Sequence, residues 1–575
     1  MSGERAGEAR EATDAATARE WDGLLAAAEP TEPRPLGELI ERLRAGGQLI
    51  AIEGRVDGDA APGAGSSAGG SDLTVRGVTY DSRHVLAESL FVAIRGGRSD
   101  GHDFVSAAAE RGAVAAIVER AVPGLAVPQL VVADTRRALA TAAAWWYGDP
   151  SRDLLVVGIT GTDGKTTTSF LATAMLEAAG VSTGLSTTVG GKIGALRLAN
   201  REHVTTPESP ELQRLLRAMV LAGNSAAIVE TTSHGLALSR VAEIDYDVAI
   251  FTNLSHEHLE LHGTFEAYRD AKLSLFRGLG GAAGTTRGGG TTRGGDHGTA
   301  GGPYRPRAAV INVDDPAGPI FAAAARDAGA SVIGYGESVG AEVRATAVAE
   351  GPRSMHFDVV TPRWSGSVEL RLAGRFNVLN ALAAVALGEV LELDPERIRT
   401  GLAAVSGVPG RMERIDRGQP FGVIVDYAHS PASLQIVLEV LAPLASSGGG
   451  GLIAVFGSAG ERDVQKRPMM GRVAGERCRL VIVTDEDPRG EPSEAILNEI
   501  AAGAEAAGLV RGRGLHTIPD RRDAMDAAFA AARPGDVVLL AGKGHEQTII
   551  MAGGAVPWDE RSEAIQALAR LGYSS

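Results

Sequence analysis

The segment 161–167 (GTDGKTT) constrains the fold of this chain more than any other feature. It follows the apolar run 154–159 (LLVVGI) and precedes a helix-forming stretch at 168–176. A strand, a glycine turn and a helix in this order place backbone N–H groups and a helix N-terminus around a phosphate. The glycines let the backbone approach the anion closely. The predicted phosphate contacts are Gly161, Thr162, Gly164, Lys165, Thr166 and Thr167.

Within this loop, two side chains have predicted chemical tasks. Lys165 would contribute a cation to the terminal phosphates, and the Thr166 hydroxyl would be a ligand for Mg²⁺. A Gly-Lys-Thr sequence in an ordinary loop is common, but the strand and the helix on either side favour a nucleotide site. The segment therefore predicts a phosphate-binding loop in an α/β domain.

Length and composition indicate a multidomain globular protein. The 575 residues are 44% hydrophobic and 22% charged, and a chain of this length favours about three domains. No apolar run reaches the ~20 residues of a membrane helix, and the N-terminus has no apolar signal core. The single cysteine, Cys478, suits a reducing compartment, and the net charge of −15 argues against broad nucleic-acid binding. We expect a soluble cytoplasmic monomer with no nucleic-acid or membrane partner.

Apolar runs and glycine-rich stretches divide the chain into parts. Continuous rather than alternating apolar runs indicate strands buried on both faces of parallel sheets. The stretches 58–70 and 278–302 cannot bury enough apolar surface to fold, so both are predicted to be disordered insertions. The predicted parts are a flexible extension (1–33), an N-terminal α/β domain (34–150), a central domain (151–372) and a C-terminal domain (373–575).

Acidic and histidine side chains follow two apolar runs of the central part. Glu230 ends the run 226–230, where its carboxylate could hold the Mg²⁺ that Thr166 contacts; a solvated glutamate at a strand end is the alternative. The segment 256–262 (HEHLELH) suggests a metal or phosphate site or, alternatively, a solvated turn. Its spacing does not match a zinc site, and its oxygen ligands favour Mg²⁺.

Lys272 lies in the predicted helix 265–276. Phe265, Tyr268, Lys272 and Phe276 share one face at helical spacing, so the lysine points with the apolar stripe. A lysine that points inward normally pairs with an acid or has a chemical task. The alternative is that its stem covers apolar surface while the ammonium reaches water.

Further motifs occur in order from residue 81 to the C-terminal end. They are 81–83 (DSR), 205–207 (TTP), 230–234 (ETTSH), 271–272 (AK), 374–377 (GRFN), 409–413 (PGRME), 426–431 (DYAHSP) and 542–546 (GKGHE). With the phosphate-binding loop, this series resembles the Mur ligase family, whose ATP-dependent enzymes form amide bonds in peptidoglycan precursor synthesis. The resemblance implies an α/β fold of three domains. These would be a smaller N-terminal UDP-binding domain, a central P-loop-type ATPase with a parallel sheet, and a C-terminal Rossmann-like domain.

Within the family the chain most resembles the MurE type. The resemblance lies in 456–463 (FGSAGERD), 466–468 (KRP) and 485–489 (DEDPR). It implies that ATP phosphorylates the D-glutamyl carboxylate of UDP-N-acetylmuramoyl-L-alanyl-D-glutamate, and that the amine of a diamino acid then attacks the acyl phosphate. The alternatives are another Mur-type or folylpolyglutamate-type ligase, or a P-loop ATPase or kinase with a regulatory binding module.

The family's site residues are transferred to the matching positions of this sequence. Thr166, Glu230 and His258 resemble magnesium ligands, and Lys165, His258 and Lys272 resemble catalytic residues, with Lys272 carbamylated to N6-carboxylysine. Asn377, Arg411 and Asp426 resemble ATP contacts beside the phosphate-binding loop. The implied contacts of the UDP-muramoyl dipeptide are Ser82, Gly97, Arg98, Ser99, Thr205, Thr206, Thr232 and Arg240. The implied diamino-acid pocket contains Arg467, Glu486, Asp487, Pro488, Arg489, Gly542 and Glu546.

The identity of the diamino acid depends on the charges of this pocket. Arg489 and Arg467 could bind the distal carboxylate of meso-diaminopimelate, which lysine and ornithine lack. Glu486 and Asp487 add acid to the same segment and could instead pair with Arg489 or favour a bare terminal amine. We predict meso-diaminopimelate, with lysine or ornithine as the alternative.

Five positions depart from the family pattern. Asp163 replaces an asparagine of the phosphate-binding loop, and Leu238 replaces a substrate-binding glutamine. The triplet 256–258 (HEH) replaces arginine-aspartate-histidine. Asp487 stands where the diaminopimelate-type motif has asparagine.

Overall fold

The computed structural model describes residues 16–54, 73–96, 99–200, 204–255, 259–280, 305–351 and 354–573. The insertion predicted at 58–70 lies outside these residues. Of the stretch 278–302, only Gly278–Gly280 is described, as a short 3₁₀ turn. No helix among the described residues is long and apolar enough to cross a membrane.

The described part of the N-terminal extension is a helix, α1 (16–27), which packs on the central domain. Trp21 and Ala28 share a hydrophobic core with Leu212 and Met219. The prediction of a flexible extension is therefore wrong for residues 16–33. Its apolar side chains recur at helical spacing, so one face of α1 can be buried.

The N-terminal domain is a five-stranded sheet with helices against it. Its elements are β1 (Arg34–Pro35), α2 (Leu36–Ala45), β2 (Leu49–Glu53), β3 (Thr74–Val75), β4 (Gly77–Thr79), β5 (Ser89–Val92), α3 (Val105–Glu110), β6 (Ala113–Val118), β7 (Gln129–Val132) and α4 (Thr135–Tyr147). The sheet order is β2-β7-β6-β5-β4, with β2 antiparallel and the other strands parallel. Strands β1 and β3 form a separate short pair.

The central domain contains one eleven-stranded sheet. Its elements are β8 (Leu155–Thr160), α5 (Lys165–Ala178), β9 (Thr183–Ser186), β10 (Gly190–Ile193), β11 (Leu196–Ala199), α6 (Ser209–Leu221), β12 (Ala226–Glu230), α7 (Ser233–Ala237), β13 (Val248–Phe251), α8 (Leu259–His262), α9 (Phe265–Arg277), β14 (Ala308–Asn312), α10 (Gly318–Asp327), β15 (Ser331–Gly336), β16 (Val343–Glu350), β17 (Met355–Val360), β18 (Ser365–Leu370), α11 (Phe376–Val390) and α12 (Pro395–Ala404). The order is β11-β10-β9-β12-β8-β13-β14-β15-β16-β17-β18. The strands from β9 to β16 in this order are parallel, as predicted. The strands at the two edges, β10–β11 and β17–β18, pair antiparallel.

The C-terminal domain has a six-stranded sheet between layers of helices. Its elements are β19 (Glu413–Ile415), β20 (Gly422–Asp426), α13 (Pro431–Ser447), β21 (Leu452–Phe456), α14 (Lys466–Arg477), β22 (Leu480–Val483), α15 (Ser493–Ala506), β23 (Leu515–Thr517), α16 (Arg521–Ala531), β24 (Val537–Ala541), β25 (Thr548–Met551), β26 (Gly554–Pro557) and α17 (Glu560–Arg570). The order is β19-β20-β24-β21-β22-β23, parallel except for β19. The three-domain α/β prediction is confirmed.

The boundary between the last two domains lies later than predicted. Helices α11 and α12 pack on α5 in the central core, where a Cβ added at Gly401 would lie 2.4 Å from the Met175 Cα. Helix α11 is apolar on almost every side and requires cover from several directions. The third sheet begins only with β19, so the boundary at 372 moves to about residue 408.

Candidate active site

The phosphate-binding loop joins the end of β8 to the start of α5. Gly161 and Gly164 have φ values of 151° and 82°, conformations that glycine adopts without steric cost. A Cβ at Gly161 would lie 1.9 Å from the Thr252 hydroxyl, and one at Gly164 would lie 2.3 Å from Oδ1 of Asn380. Both positions therefore require glycine for conformation and for space.

The segment after β13 holds this loop in place. The Asn253 carbonyl accepts from the Thr162 N–H at 2.9 Å, and Asn253 Oδ1 accepts from the Asp163 N–H at 2.9 Å. The Thr252 hydroxyl donates to the Asp163 carbonyl at 2.7 Å. The backbone of Asp163 thus makes the contacts that shape the turn, while its side chain is exposed. The replacement of asparagine by Asp163 consequently changes the charge at the loop but not its backbone bonding.

Lys165 folds back over the phosphate-binding loop. Its ammonium donates to the carbonyls of Gly161 at 3.1 Å and Thr162 at 2.7 Å. It forms no ion pair with any residue that the structure describes. Its charge is therefore not neutralised by an acidic side chain, and its contact with a phosphate stays a prediction.

A buried cluster of oxygen atoms lies beside the loop. The Thr166 hydroxyl donates to the two Glu230 carboxylate oxygens at 3.0 and 3.2 Å. The Thr188 hydroxyl and amide each donate to the same carboxylate at 3.0 Å. Glu230 is 1% exposed, which excludes the solvated-glutamate alternative. Hydroxyl and carboxylate oxygens are the ligands that Mg²⁺ prefers, so these residues fit that ion.

Thr188 is a site residue that sequence reasoning missed, because one threonine in a loop matches no motif. The third predicted magnesium ligand, His258, lies outside the described residues, as do Gly97 and Arg98 of the substrate turn. Among the described residues, no group of three histidine, cysteine or acidic side chains could hold a metal ion. The oxygen cluster at Thr166 instead offers hydroxyl oxygens and one carboxylate as possible metal ligands.

Lys272 is buried against the phosphate-binding loop. It is 2% exposed, and its ammonium donates to the Gly161 carbonyl at 2.7 Å. The ammonium also lies 4.5 Å from the centre of the Tyr268 ring, and the Tyr268 hydroxyl is 3.0 Å from the Thr162 hydroxyl. The alternative in which this lysine reaches water is therefore excluded.

A chain of hydroxyls connects the oxygen cluster to the predicted substrate residues. The hydroxyls of Thr188 and Thr205 are 2.8 Å apart. Because the Thr188 hydroxyl donates its single proton to Glu230, Thr205 is the donor in that pair. Thr206 donates to the Glu230 carbonyl at 3.1 Å and lies 3.0 Å from the Thr232 hydroxyl.

Of the remaining predicted substrate contacts, Arg240 lies next to these hydroxyls, and Ser82 and Ser99 lie in the N-terminal domain. Arg240 donates to the Thr206 carbonyl at 2.9 Å and forms an ion pair with Glu208 at 2.8 Å. Ser82 lies in the N-terminal domain, where its carbonyl accepts from Arg111. Ser99 is in the same domain, and its carbonyl accepts from the Gly96 N–H at 2.9 Å.

The predicted ATP contacts come from α11 and from the start of the C-terminal domain. Asn377 accepts from the Asn380 amide at 2.9 Å, and Asn380, which was not predicted, touches the loop at Gly164. Arg411 lies 3.5 Å from the Thr166 hydroxyl and stacks on Tyr427. These contacts bring both elements to the phosphate-binding loop.

Asp426 holds the segment that carries Arg411. Its carboxylate accepts from the Met412 N–H at 2.7 Å and from the Ala428 N–H at 2.8 Å. Burial raises the pKa of Asp426, while the Arg411 charge and these two hydrogen bonds oppose that change. Asp426 therefore acts on the phosphate site by fixing the backbone next to Arg411.

In the C-terminal domain, two predicted pocket residues, Asp487 and Glu546, both pair with Lys543, which was not predicted. The Lys543 ammonium contacts Asp487 at 2.8 Å and Glu546 at 2.5 Å. Asp487 also accepts from the Ile550 N–H at 2.9 Å, and Tyr427 donates to Glu546 at 3.2 Å. Asp487 is thus paired with Lys543 and not with Arg489.

Arg467 is wrongly predicted as a substrate clamp. Its side chain is 1% exposed and contacts Glu499 at 2.8 Å and Glu491 at 3.0 Å. It also donates to the Ala459 carbonyl at 3.2 Å. Because two carboxylates neutralise this guanidinium inside the domain, Arg467 stabilises the fold of the pocket instead.

Glu486 and Arg489 remain without charged partners among the described residues. Glu486 is 7% exposed, and its buried Oε2 accepts no hydrogen bond. A Cβ at Gly542, whose φ is 99°, would lie 2.7 Å from this oxygen. The buried Nε of Arg489 also lacks a partner, and the residue has a strained φ of 57°. Pro488 between them is buried. The pocket therefore contains one unpaired group of each charge.

Comparison with known proteins identifies the family of this chain. The model of the Mur ligase middle domain matches residues 159–284 and 302–388, that of the Mur ligase glutamate ligase domain matches 410–544, and that of the Mur ligase family catalytic domain matches 74–147. A UDP-N-acetylmuramyl-tripeptide synthetase from Roseiflexus sp. (strain RS-1) is 48% identical over 87% of this chain and 95% of its own length. The chain belongs to the Mur ligase family. Enzymes of this family are ATP-dependent ligases, so the chain is an enzyme of that type.

Two further Mur ligases resemble most of the chain. A UDP-N-acetylmuramoyl-L-alanyl-D-glutamate–2,6-diaminopimelate ligase from Geobacter metallireducens is 41% identical over 88% of this chain and 96% of its own length. A solved structure of a ligase with the same name aligns with a TM-score of 0.59 and 29% identity. That alignment covers 89% of this chain and 98% of the solved chain. The similarity to Mur ligases thus includes all three domains.

Proposed function

We propose that this Mur ligase adds a diamino acid, meso-diaminopimelate, to UDP-N-acetylmuramoyl-L-alanyl-D-glutamate in peptidoglycan precursor synthesis. The observation that carries the choice of amino acid is the pair of unpartnered opposite charges at Glu486 and Arg489. The names of the relatives support the reaction. We also propose that the enzyme acts as a monomer in the cytoplasm. A single cysteine suits the reducing conditions of that compartment.

The first step is transfer of a phosphoryl group. An oxygen of the D-glutamyl carboxylate attacks the γ-phosphorus of ATP, the bond to the β,γ-bridging oxygen breaks, and ADP leaves. Lys165 stabilises the negative charge on the transferring group, and the loop amides bind the phosphate oxygens. Mg²⁺ held by Thr166, Glu230 and His258 would neutralise phosphate charge when it is bound.

The second step forms the amide bond. The neutral amine of the diamino acid attacks the acyl carbon, the tetrahedral intermediate expels phosphate, and the nitrogen loses a proton. The Thr188, Thr205 and Thr206 hydroxyls would orient the peptide end of the substrate near the oxygen cluster. Because an acyl phosphate hydrolyses readily, contact of Arg411 with Thr166 across the domain boundary would help to exclude water.

Lys272 is proposed to carry a carbamate. Its amine is buried beside the phosphate-binding loop, at the position where the family match expects the carbamate. A carbamate nitrogen keeps one hydrogen, so the bond to the Gly161 carbonyl at 2.7 Å can be retained. The modification would place a negative group beside the phosphate-binding loop, where a cation is expected.

The charges of the pocket favour meso-diaminopimelate. The distal end of this amino acid has an ammonium and a carboxylate, which match Glu486 and Arg489 respectively. Leaving a charged group with a buried donor unpaired is costly, and lysine or ornithine would leave the half-buried Arg489 in that state. Glu486 by itself favours any amino acid with a distal ammonium, so lysine or ornithine is the second candidate.

A panel assay tests the proposal. We expect phosphate release that requires both UDP-N-acetylmuramoyl-L-alanyl-D-glutamate and an amino acid, with the highest kcat/KM for meso-diaminopimelate. Lysine, ornithine and glutamate form the rest of the panel, and mass spectrometry identifies the tripeptide product. A preference for lysine or ornithine would overturn the choice of amino acid. ATP hydrolysis that is independent of both substrates would overturn the ligase itself.

A further inference from the structure

Helix α1 packs on strand β10 and helix α6. These two elements directly follow the active-site threonines at 188 and at 205–206. The Trp21 ring lies against Gly191 of β10, where an added Cβ would be 2.7 Å from the ring. Trp21 also belongs to the hydrophobic core that contains Ile193 of β10 and Leu216 of α6. The Gly191 position is therefore shaped to receive the Trp21 indole.

Glu29, two residues after the end of this helix, connects the N-terminal and central domains. The Tyr147 hydroxyl, at the end of α4 in the N-terminal domain, donates to the Glu29 carboxylate at 2.9 Å. Arg214 of α6, in the central domain, donates to the same carboxylate at 3.1 Å. Burial and the Glu29 charge raise the pKa of Tyr147, so its hydroxyl stays a donor. Glu29 thus links the domain expected to hold the UDP group to the domain that holds the phosphate-binding loop.

Strand β10 and helix α6 lie close in sequence to residues of the active site. Thr188 lies two residues before β10, and Thr205 and Thr206 lie shortly before α6. All three threonines contact Glu230 or each other. A shift of β10 or α6 would therefore move the hydroxyls that face the peptide end of the substrate, and small shifts of this kind reduce catalysis strongly.

We propose that Trp21 and Glu29 are positioning residues for the UDP-muramoyl dipeptide. Through α1 they fix the hairpin β10–β11 and α6, and with them Thr188, Thr205 and Thr206. They also fix the N-terminal domain against the central domain, so that one substrate can contact both. The choice of this substrate rests on the proposed function, whereas the packing itself does not.

Kinetics of matched variants test this role. We expect Trp21→Ala and Glu29→Gln to raise the KM for the UDP-muramoyl dipeptide about tenfold, while the KM for ATP changes less than about twofold. Trp21→Phe should restore most of the affinity because it keeps an aromatic ring on Gly191. Asp22→Ala, on the exposed side of α1, and Glu32→Gln, at an exposed position nearby, are the controls. An equal rise of both KM values, or none, would overturn the proposal.

Hydrogen exchange provides a second measurement that needs no substrate. In Trp21→Ala, amides of 183–199 and 209–221 should exchange faster, while those of 165–178 should not change. This pattern together with a wild-type enzyme that does not use the UDP-muramoyl dipeptide would refute the proposed function and the choice of substrate, but would keep the positioning of β10, β11 and α6 by α1. Faster exchange throughout the chain would mean that α1 only stabilises the fold, and would overturn the role. If Trp21→Ala does not fold, Trp21→Phe and Glu29→Gln are measured in the same way.

Discussion

The phosphate site of the central domain and the amino-acid pocket of the C-terminal domain differ in how their charges are satisfied. In the phosphate site, Lys165 and Lys272 donate to backbone carbonyls, and Glu230 accepts from two threonines. In the pocket, Glu486 and Arg489 have no charged partner among the described residues. The first site therefore has its polar groups satisfied within the protein, whereas the second would be completed by the amino acid that we propose.

The phosphate site should therefore determine the rate of the reaction, and the pocket should determine which amino acid is used. A preorganised phosphate site stabilises the transition state without reorganisation, and it serves every substrate of the enzyme equally. An unpaired buried charge instead penalises each substrate that fails to neutralise it. Substitutions in the first site should therefore reduce turnover with all amino acids. Substitutions in the second site should change the order of preference among them.

Lys165→Ala should cause the largest loss and should affect all amino acids alike. It removes the cation that faces the transferring phosphate, so acyl-phosphate formation should fall at least about a hundredfold, or about 2.7 kcal/mol. Single-turnover phosphate release measures the step, and circular dichroism verifies the fold. Near-normal turnover in this variant would show that the loop does not bind the phosphates in the assigned way.

Lys272→Ala should reduce activity by about a hundredfold if its carbamate is a preorganised anion at the loop. Added short carboxylates should restore part of the activity, since they can occupy the space of the carbamate. Lys272→Arg is the matched control, because it keeps a cation that cannot be carbamylated. An unmodified amine in intact-mass spectra at saturating bicarbonate, combined with an active Lys272→Ala variant, would disprove the modification.

The same comparison explains which parts could be predicted from the sequence. The strand, turn and helix of the phosphate-binding loop and the inward direction of Lys272 were predictable because they follow from local spacing. For Glu230, spacing left a buried and a solvated position open, and only the fold decides between them. The role of Arg467 was not predictable, because its partners Glu491 and Glu499 approach from a distant part of the chain. Pairing of charges in a pocket depends on tertiary contacts that no motif encodes.

Other differences have similar physical reasons. Thr188 and Asn380 are single polar residues outside any motif, and only the fold brings them to the loop. The helical spacing that includes Trp21 was present in the extension, but the abundant alanine and charge concealed it. Helix α11 follows a recognisable motif, yet its nearly continuous apolar surface assigns it to the central core.

Arg489→Ala should have a smaller and selective effect. With meso-diaminopimelate, loss of a charged hydrogen-bond partner should lower kcat/KM by about thirtyfold, equivalent to about 2 kcal/mol. With lysine or ornithine, kcat/KM should stay constant or rise, because Arg489, whose buried Nε they would leave without a partner, is absent. Arg472→Ala, an exposed arginine of α14, is the control. Equal losses with all three amino acids would show that Arg489 does not recognise a substrate carboxylate.

Thr188→Val should produce the smallest change, and it tests the contact between the oxygen cluster and the substrate threonines. Valine keeps the shape but removes the hydroxyl that donates to Glu230 and accepts from Thr205. The amide of residue 188 still donates to Glu230, so the carboxylate keeps part of its support. We expect about a tenfold loss of kcat/KM for the UDP-muramoyl dipeptide, about 1.4 kcal/mol, and a higher Mg²⁺ concentration for half-maximal activity. Thr188→Ser retains the hydroxyl and should behave like the wild type in both measurements. If valine and serine give the same Mg²⁺ dependence, the hydroxyl does not connect the two sites, and Glu230 is held by Thr166 and the backbone alone.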